Sequence, residues 1–156
     1  MELVERDGTT YFLYYPDSKP QPDGGPSAWG SAAFISAVDE ALAGINDIGV
    51  NYDEIYFSPK FPVTCYKELR YITGYEKTNT MVDVRYILKE EGMRYDIYSP
   101  AKKIKTHILT PKGKKCKAVM VDSAEVPFEK VSIAQSDYVD FEIVELSGKV
   151  SIEILF

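Results

Sequence analysis

The spacing of hydrophobic and polar residues changes near residue 52 of the chain. Upstream, apolar residues recur at intervals of three and four, which predicts an amphipathic helix from about Ala28 to Ile45. Downstream, apolar and polar residues mostly alternate, and this period of two is typical of strands with one buried face. The pattern therefore predicts one N-terminal helix followed by a sheet-forming remainder.

The predicted helix has end signals and a wide apolar surface. Ser27 is a suitable N-cap, and Gly44 or Asn46 is expected to end the helix. The polar arc is narrow, so the apolar face is expected to be covered by a partner or by a second copy of the chain. The polar arc consists of Ser36, Asp39 and Glu40. The apolar face consists of Phe34, Ile35, Val38, Leu42 and Ile45.

The remainder contains about eight short alternating segments, and their regular spacing predicts an antiparallel β-sandwich rather than a parallel sheet. The predicted strands cover residues 55–57, 69–75, 82–88, 93–97, 104–109, 118–121, 139–143 and 150–156. Turns at Glu90-Glu91-Gly92, Pro111-Lys112-Gly113 and Ser147-Gly148 are predicted to join neighbouring strands into pairs. The expected fold is mainly β, an antiparallel sandwich of about eight strands with one N-terminal amphipathic helix.

Composition and charge narrow the classes of partner. Of the 156 residues, 45% are hydrophobic and 27% are charged, which is typical of a folded domain rather than a disordered chain. The formal net charge of −6 disfavours nucleic acid, whose phosphates require clustered Lys and Arg. The basic run Lys112–Lys117 surrounds a turn, so we expect a solvated hairpin tip.

The sequence favours a cytoplasmic protein. No apolar run approaches the ~20 residues that span a membrane. Met1 is followed by Glu2 and Glu5 where a secretory signal would have basic and apolar regions. Cys65 and Cys116 are expected to be two ordinary thiols, and a disulfide between them is the alternative.

Residues suited to nucleophilic or metal chemistry are sparse. His107 is the only histidine, and it is predicted to be a surface residue on the strand face opposite Ile104, Thr106 and Ile108. No His, Cys, Asp or Glu cluster has the spacing of metal ligands, and no glycine-rich phosphate-binding motif is present. We therefore expect neither a metal nor a cofactor.

Glycoside hydrolysis needs two carboxylates across a cleft. Asp17 and Asp23 lie in a Pro/Gly-rich loop from which they can reach a cleft. Asp39 and Glu40 are adjacent on the predicted helix and point about 100° apart, so they are expected to be a solvated edge. Asp17, Asp23 and Glu40 are the weak catalytic candidates of the chain.

Three segments in order carry a family resemblance. They are Gly-Pro-Ser-Ala-Trp-Gly-Ser-Ala-Ala-Phe at 25–34, Ala-Leu-Ala-Gly-Ile at 41–45 and Ile-Tyr-Phe-Ser-Pro-Lys-Phe-Pro at 55–62. Together they resemble the C-terminal part of the six-hairpin glycosidases, a superfamily that includes maltose- and cellobiose-phosphorylase types. In that superfamily a toroid of helical hairpins holds the active site, and its last helix leads into a C-terminal β-sandwich.

The resemblance implies a division into residues 1–51, a loop plus the last toroid helix, and residues 52–156, the sandwich. It implies that Ser27 and Trp29 border a sugar or phosphate site, while N-capping and core packing are their structural alternatives. Tyr14 and Tyr15 are further candidates for stacking on sugar rings. Leu13 stands where several of these families carry a catalytic carboxylate, and leucine cannot transfer a proton.

Three functions follow from these observations. The first is a non-catalytic domain or fragment of a carbohydrate-active protein, which meets a helical toroid portion or its own copy through the apolar helix face. The second is a carbohydrate-binding sandwich module. The third is a glycoside hydrolase, active alone or only with a partner chain. The first is preferred, because the helix surface and the Pro/Gly loop have no partner in the rest of the sequence.

Overall fold

The computed structural model describes residues 28–146 and 148–156. The chain divides into two compact units, residues 1–38 and 39–156. In the first unit the described part is helix α1 (Ala28–Ser36) and the two residues that follow it. No residue of α1 is buried, and Trp29, Phe34 and Ile35 are 79%, 51% and 57% exposed. Among the described residues, no helix is long and apolar enough to cross a membrane.

The helix continues as a π-helical segment (Ala37–Ala43) and ends two residues earlier than predicted. Gly44 follows it with a positive φ of 64°, a conformation that glycine adopts without strain. Ile45 is therefore a strand residue, and it is buried. The predicted apolar face is thus divided, because Phe34 and Ile35 are exposed whereas Leu42 packs against the core of the second unit.

The second unit contains two sheets, and the described residues form eleven strands rather than about eight. The first sheet has the order β1 (Ile45–Asp47), β2 (Glu54–Phe57), β6 (Lys103–Leu109), β10 (Ser136–Val144) and β9 (Glu129–Ile133). The second has the order β3 (Glu68–Tyr75), β4 (Thr80–Leu88), β5 (Gly92–Tyr98), β11 (Lys149–Leu155), β7 (Ala118–Val121) and β8 (Ala124–Val126). Strands β1, β8 and β9 were not predicted.

The mainly β, antiparallel-rich class is confirmed, while two of the predicted strand pairings are wrong. Strands β4 and β5 form the predicted hairpin. Strands β6 and β7 lie in different sheets, as do β10 and β11, so neither the Pro111 turn nor the segment before Gly148 closes a hairpin. One pair, β2 with β6, is parallel. Alternation identifies which residues point inward, but both sheets share one core, so it does not identify the sheet.

The core of the second unit lies between the two sheets. Its centre is aromatic: Tyr86 and Tyr95 have ring centroids 5.2 Å apart, and Phe57 meets Tyr95 edge-on at 5.4 Å. Phe61, in the short helical turn after β2, packs on Tyr86 at 5.5 Å. Strand β1 precedes the boundary predicted at residues 51/52 and pairs with β2 beyond it, so it contributes to this same core.

Candidate functional site

The structure describes two of the residues predicted for a site. Trp29 lies on α1 in the first unit, and Glu40 is an exposed residue of the π-helical segment in the second. The other predicted residues lie outside the described part of the chain; they are Tyr14, Tyr15, Asp17, Asp23 and Ser27. The predicted catalytic and sugar-binding roles therefore stay predictions.

The neighbour of Glu40, Asp39, is not a solvated edge as predicted. Its Oδ1 accepts a hydrogen bond of 2.7 Å from the Tyr71 hydroxyl, and this contact joins the π-helical segment to strand β3. Burial, followed by this hydrogen bond to a carboxylate, raises the pKa of Tyr71 above its ordinary value. Tyr71 therefore keeps its proton and remains a donor. π-Helices are rare, and most occur as single-turn bulges inside α-helices, so a segment of seven π-helical residues is unusual.

Tyr52 and Tyr75 extend the Asp39–Tyr71 contact into a tyrosine cluster. The rings of Tyr52 and Tyr75 stack with centroids 5.0 Å apart. Tyr52 is buried and has a φ of 60°, a conformation that a bulky residue rarely adopts. Burial raises its pKa, and a hydrogen bond with Thr73 opposes that shift. Tyr75 is the exposed ring of the cluster, at 45%, whereas Tyr52 is buried and the Tyr71 hydroxyl is bound to Asp39.

A second group of polar and aromatic side chains lies on the outer face of the first sheet. His107 lies opposite the buried Ile104, Thr106 and Ile108, as predicted, yet its side chain is only 16% exposed. Its Nδ1 lies 2.8 Å from Asp140 Oδ1, because the register pairs β6 residue 107 with β10 residue 140. His107 therefore lies on the predicted outer face, where it is half-buried and paired with Asp140. The missed signal was this cross-strand pairing, which a single strand does not contain.

Aromatic rings flank His107 on both sides. Tyr138 stacks on it with a centroid distance of 4.1 Å and an interplanar angle of 13°, and Tyr56 lies 6.5 Å away at 16°. The Lys60 ammonium lies 4.9 Å from the Tyr138 ring centroid and donates a 2.8 Å hydrogen bond to Ser58 Oγ. Burial lowers the pKa of Lys60. We refer to Tyr56, His107, Tyr138 and Lys60 as the ring row.

The ring row differs from a flat platform for sugars. Rings that stack face to face at 4.1 Å shield part of each other's faces, so the row presents largely ring edges to solvent. Next to it, a shallow groove of about 540 Å³ is lined by Lys105, Glu129, Asp140 and Glu142 among others. Glu142 is paired with Lys103 at 2.9 Å, and Asp140 with His107. Within residues 28–146 and 148–156, no group of three or more metal-ligating side chains is assembled.

The basic run and the two cysteines are also placed by the structure. Lys112–Lys117 belongs to the connection between β6 and β7, which are strands of different sheets, so this run is not a hairpin tip. Cys65 is exposed, Cys116 is buried, and both are free thiols. Burial raises the pKa of the Cys116 thiol, and the charge of Lys130 only partly opposes this shift. The thiol donates a 3.5 Å hydrogen bond to the Ala118 carbonyl.

Comparison with known proteins gives a likeness of fold. No family model matches the chain, and no curated protein matches it. Among solved structures, the chain is similar to an alpha-L-rhamnosidase from Dictyoglumus thermophilum, with a TM-score of 0.53 and 17% sequence identity. The matched region covers 82% of this chain and 14% of the rhamnosidase chain, so the chain spans a small part of that enzyme's length. At this identity the likeness shows the fold alone.

Proposed function

We propose that the chain is a non-catalytic C-terminal β-sandwich domain, or a fragment, of a carbohydrate-active protein of the glycoside hydrolase or phosphorylase kind. The observation that carries the proposal is the unequal coverage of the fold likeness, 82% of this chain against 14% of a rhamnosidase. A chain whose fold corresponds to a small part of a large glycosidase is suited to complete or support that enzyme. The ordered segments at 25–34, 41–45 and 55–62, which resemble the C-terminal part of the six-hairpin glycosidases, support the same proposal.

In this proposal α1 is the contact surface. Trp29, Phe34 and Ile35 expose large apolar side chains on one short helix, and such groups seldom remain exposed together on a monomer. The partner is a helical toroid portion, which contacts Phe34, Ile35 and Val38 of the first unit, whereas Leu42 packs against the core of the second unit. In the absence of that portion the same face is expected to drive self-association.

Sedimentation velocity over a range of protein concentrations tests this proposal. We expect the chain to self-associate, and the double variant Phe34→Ser/Ile35→Ser to sediment as a monomer at the same concentrations. The matched control is Val63→Ser/Val144→Ser, whose native side chains are 71% and 60% exposed on the second unit. The control should associate like the native chain. A native chain that stays monomeric at high concentration, without binding a helical toroid portion, would contradict the proposal.

A carbohydrate-binding module is the second candidate, and the ring row is the observation that favours it. Its tyrosine edges, the Asp140 carboxylate and the Lys60 ammonium supply apolar contact together with donors and acceptors. Affinity electrophoresis through gels that contain different polysaccharides distinguishes it from the first candidate. Retardation by one polysaccharide supports a binding module, whereas unchanged mobility in all of them removes this candidate.

A further inference from the structure

We propose that a cavity beside the β6–β7 connection binds a small organic anion, a molecule of monosaccharide size that carries one carboxylate or phosphate group. The cavity measures about 320 Å³ and lies between that connection, strand β9 and the start of β10. The proposed function depends on α1 in the first unit, whereas this inference depends only on side chains of the second unit. The two can therefore be tested separately.

Three lysines contribute to the walls of this anion cavity: Lys114 and Lys115 from the β6–β7 connection, and Lys130 from β9. Among the described residues of the lining, Asp137 is the only acidic one. Within the described part of the chain, none of these three lysines forms an ion pair with a carboxylate. A protein with a net charge of −6 therefore has a local excess of positive charge at this cavity.

The polar groups around the cavity have spare capacity for a ligand. Lys114 Nζ donates a 2.9 Å hydrogen bond to the Glu90 carbonyl, which uses one of the three donors of an ammonium. Asp137 Oδ1 accepts a 2.6 Å hydrogen bond from Ser132 Oγ, so part of its acceptor capacity is already used. The Thr110 hydroxyl is fixed by a 3.0 Å bond to the Asp137 carbonyl. The lysine N–H donors that remain for a ligand thus outnumber the remaining acceptor positions of Asp137.

Part of the cavity lining is apolar. Cys116 and Val139 are buried, and Val131 and Tyr138 complete the apolar part of the lining. Lys130 is exposed, and its ammonium lies 5.6 Å from the Phe128 ring centroid. A ligand with an apolar or hydroxylated body and one anionic group fits a lining of this kind.

The size of the cavity limits the ligand. Pockets for small molecules usually measure about 300 to 1,000 Å³, so a volume of about 320 Å³ admits a single sugar ring or an organic acid of similar size. A lysine ammonium is a compact point charge without the rigid donor geometry of a guanidinium, so it binds both carboxylates and phosphates. Both kinds of ligand therefore share one compact anionic group, and the titration described next distinguishes a carboxylate from a phosphate.

The test is a titration of the full, isotopically labelled chain followed by amide chemical shifts, in low-salt buffer without phosphate. The probes are glucuronate, glucose 6-phosphate and neutral glucose. We expect one or both anionic probes to shift the amides of Thr110, Cys116 and Ser132, while glucose leaves them unchanged. A stronger response to glucuronate assigns a carboxylate ligand, and a stronger response to glucose 6-phosphate assigns a phosphate ligand.

Two variants locate the binding. Lys115→Ala/Lys130→Ala removes two exposed charges from the anion cavity and should weaken binding of the better anion about tenfold. Lys67→Ala/Lys77→Ala removes two exposed charges from residues that do not line it, and should retain the native affinity. Absence of shifts with both anions, equal shifts with glucose, or equal weakening by the two variants would overturn the inference.

Discussion

Tyr86 is the residue at which burial and hydrogen bonding conflict. Its side chain is fully buried in the aromatic centre of the core, and burial raises its pKa to about 12. Among the residues that the structure describes, no group accepts or donates a hydrogen bond at its hydroxyl. A buried polar atom without a partner costs about 1 to 3 kcal/mol, so the ring stabilises the fold while the hydroxyl opposes it.

The first prediction is that Tyr86→Phe stabilises the protein by about 1 kcal/mol, because it keeps the ring contacts and removes the unsatisfied hydroxyl. Urea denaturation followed by circular dichroism measures the free energy of unfolding. Tyr95→Phe is the matched control, since the Tyr95 hydroxyl contacts Met93 Sδ at 3.8 Å and loses that contact. A Tyr86→Phe protein less stable than the native chain would show that its hydroxyl has a partner.

Gly44 lies between the end of the π-helical segment and the start of strand β1. Its φ is 64°, and a Cβ atom placed on it would overlap the backbone carbonyl of Ser58. The Ser58 amide donates a 2.8 Å hydrogen bond to the Gly44 carbonyl, so the two backbones are held in contact. Conformation and space both require glycine at this position.

We predict that Gly44→Ala destabilises the second unit by about 3 kcal/mol, because left-handed strain and a backbone clash act together. Gly113→Ala provides the control, since Gly113 has a φ of 80° but open space around its Cβ position. That variant should cost only the strain, about 1 to 2 kcal/mol. Thermal unfolding of both proteins makes the comparison, and equal losses would mean that the contact with Ser58 relaxes freely.

At the scale of elements, strand positions were predictable and strand partners were not. Alternation in β4 and β5 identified Val84, Tyr86 and Tyr95 as inward-facing residues, and the short turn between these strands fixed their pairing. Strands β10 and β11 alternate equally well, yet they pair in different sheets. A strand that faces a shared core satisfies its hydrophobic pattern in either sheet, so the pattern leaves the choice to long-range pairing.

For the candidate sites too, the residues were predictable and their contacts were not. The sequence identified Asp39, Glu40 and His107 as residues with suitable chemistry, but it assigned Asp39 and His107 to solvent. The structure pairs Asp39 with Tyr71 across 32 residues of sequence, and His107 with Asp140 across 33. Such contacts depend on register between distant strands, so neither helical spacing nor local alternation contains them.

A charged contact between two strands, on the outer face of the second sheet, makes the stability of the fold depend on pH. Arg70 on β3 meets Asp83 on β4 through two hydrogen-bonding nitrogens, at 3.0 and 2.6 Å. The hydrogen bond from Arg70 lowers the pKa of Asp83, and burial opposes that shift. A carboxylate whose pKa is lower in the folded state stabilises the fold above its unfolded pKa, about 4, and this contribution is lost as the pH falls through the folded value.

We therefore predict that Asp83→Asn loses less stability than the native chain between pH 7 and pH 3, because it lacks this proton-linked contribution. The urea midpoint at each pH is the measurement. Glu125→Gln, an exposed residue of β8, serves as the control and should retain the native pH dependence. If Asp83→Asn and the native chain lost the same stability on acidification, the Arg70 contact would have no role in it.

At the scale of the whole molecule, the buried hydrophobic residues of the described chain all lie between Ala43 and Ile154, within the second unit. The helix α1 contributes none of them. The buried core and the surface proposed for association therefore belong to different parts of the sequence. The sandwich supplies the cooperative core, and the exposed side chains of α1 supply the surface proposed for association.

This division predicts the behaviour of a fragment that contains residues 39–156. It retains every buried core residue of the described chain and the contact of Asp39 with Tyr71, so it should unfold in one cooperative transition. It lacks α1, so it should sediment as a monomer at concentrations at which the full chain associates. Sedimentation velocity and urea denaturation of the fragment and the full chain test both statements. A folded fragment that associates as strongly as the full chain would place the contact surface on the sandwich, whereas a fragment without a cooperative transition would show that residues 1–38 are part of its folding unit.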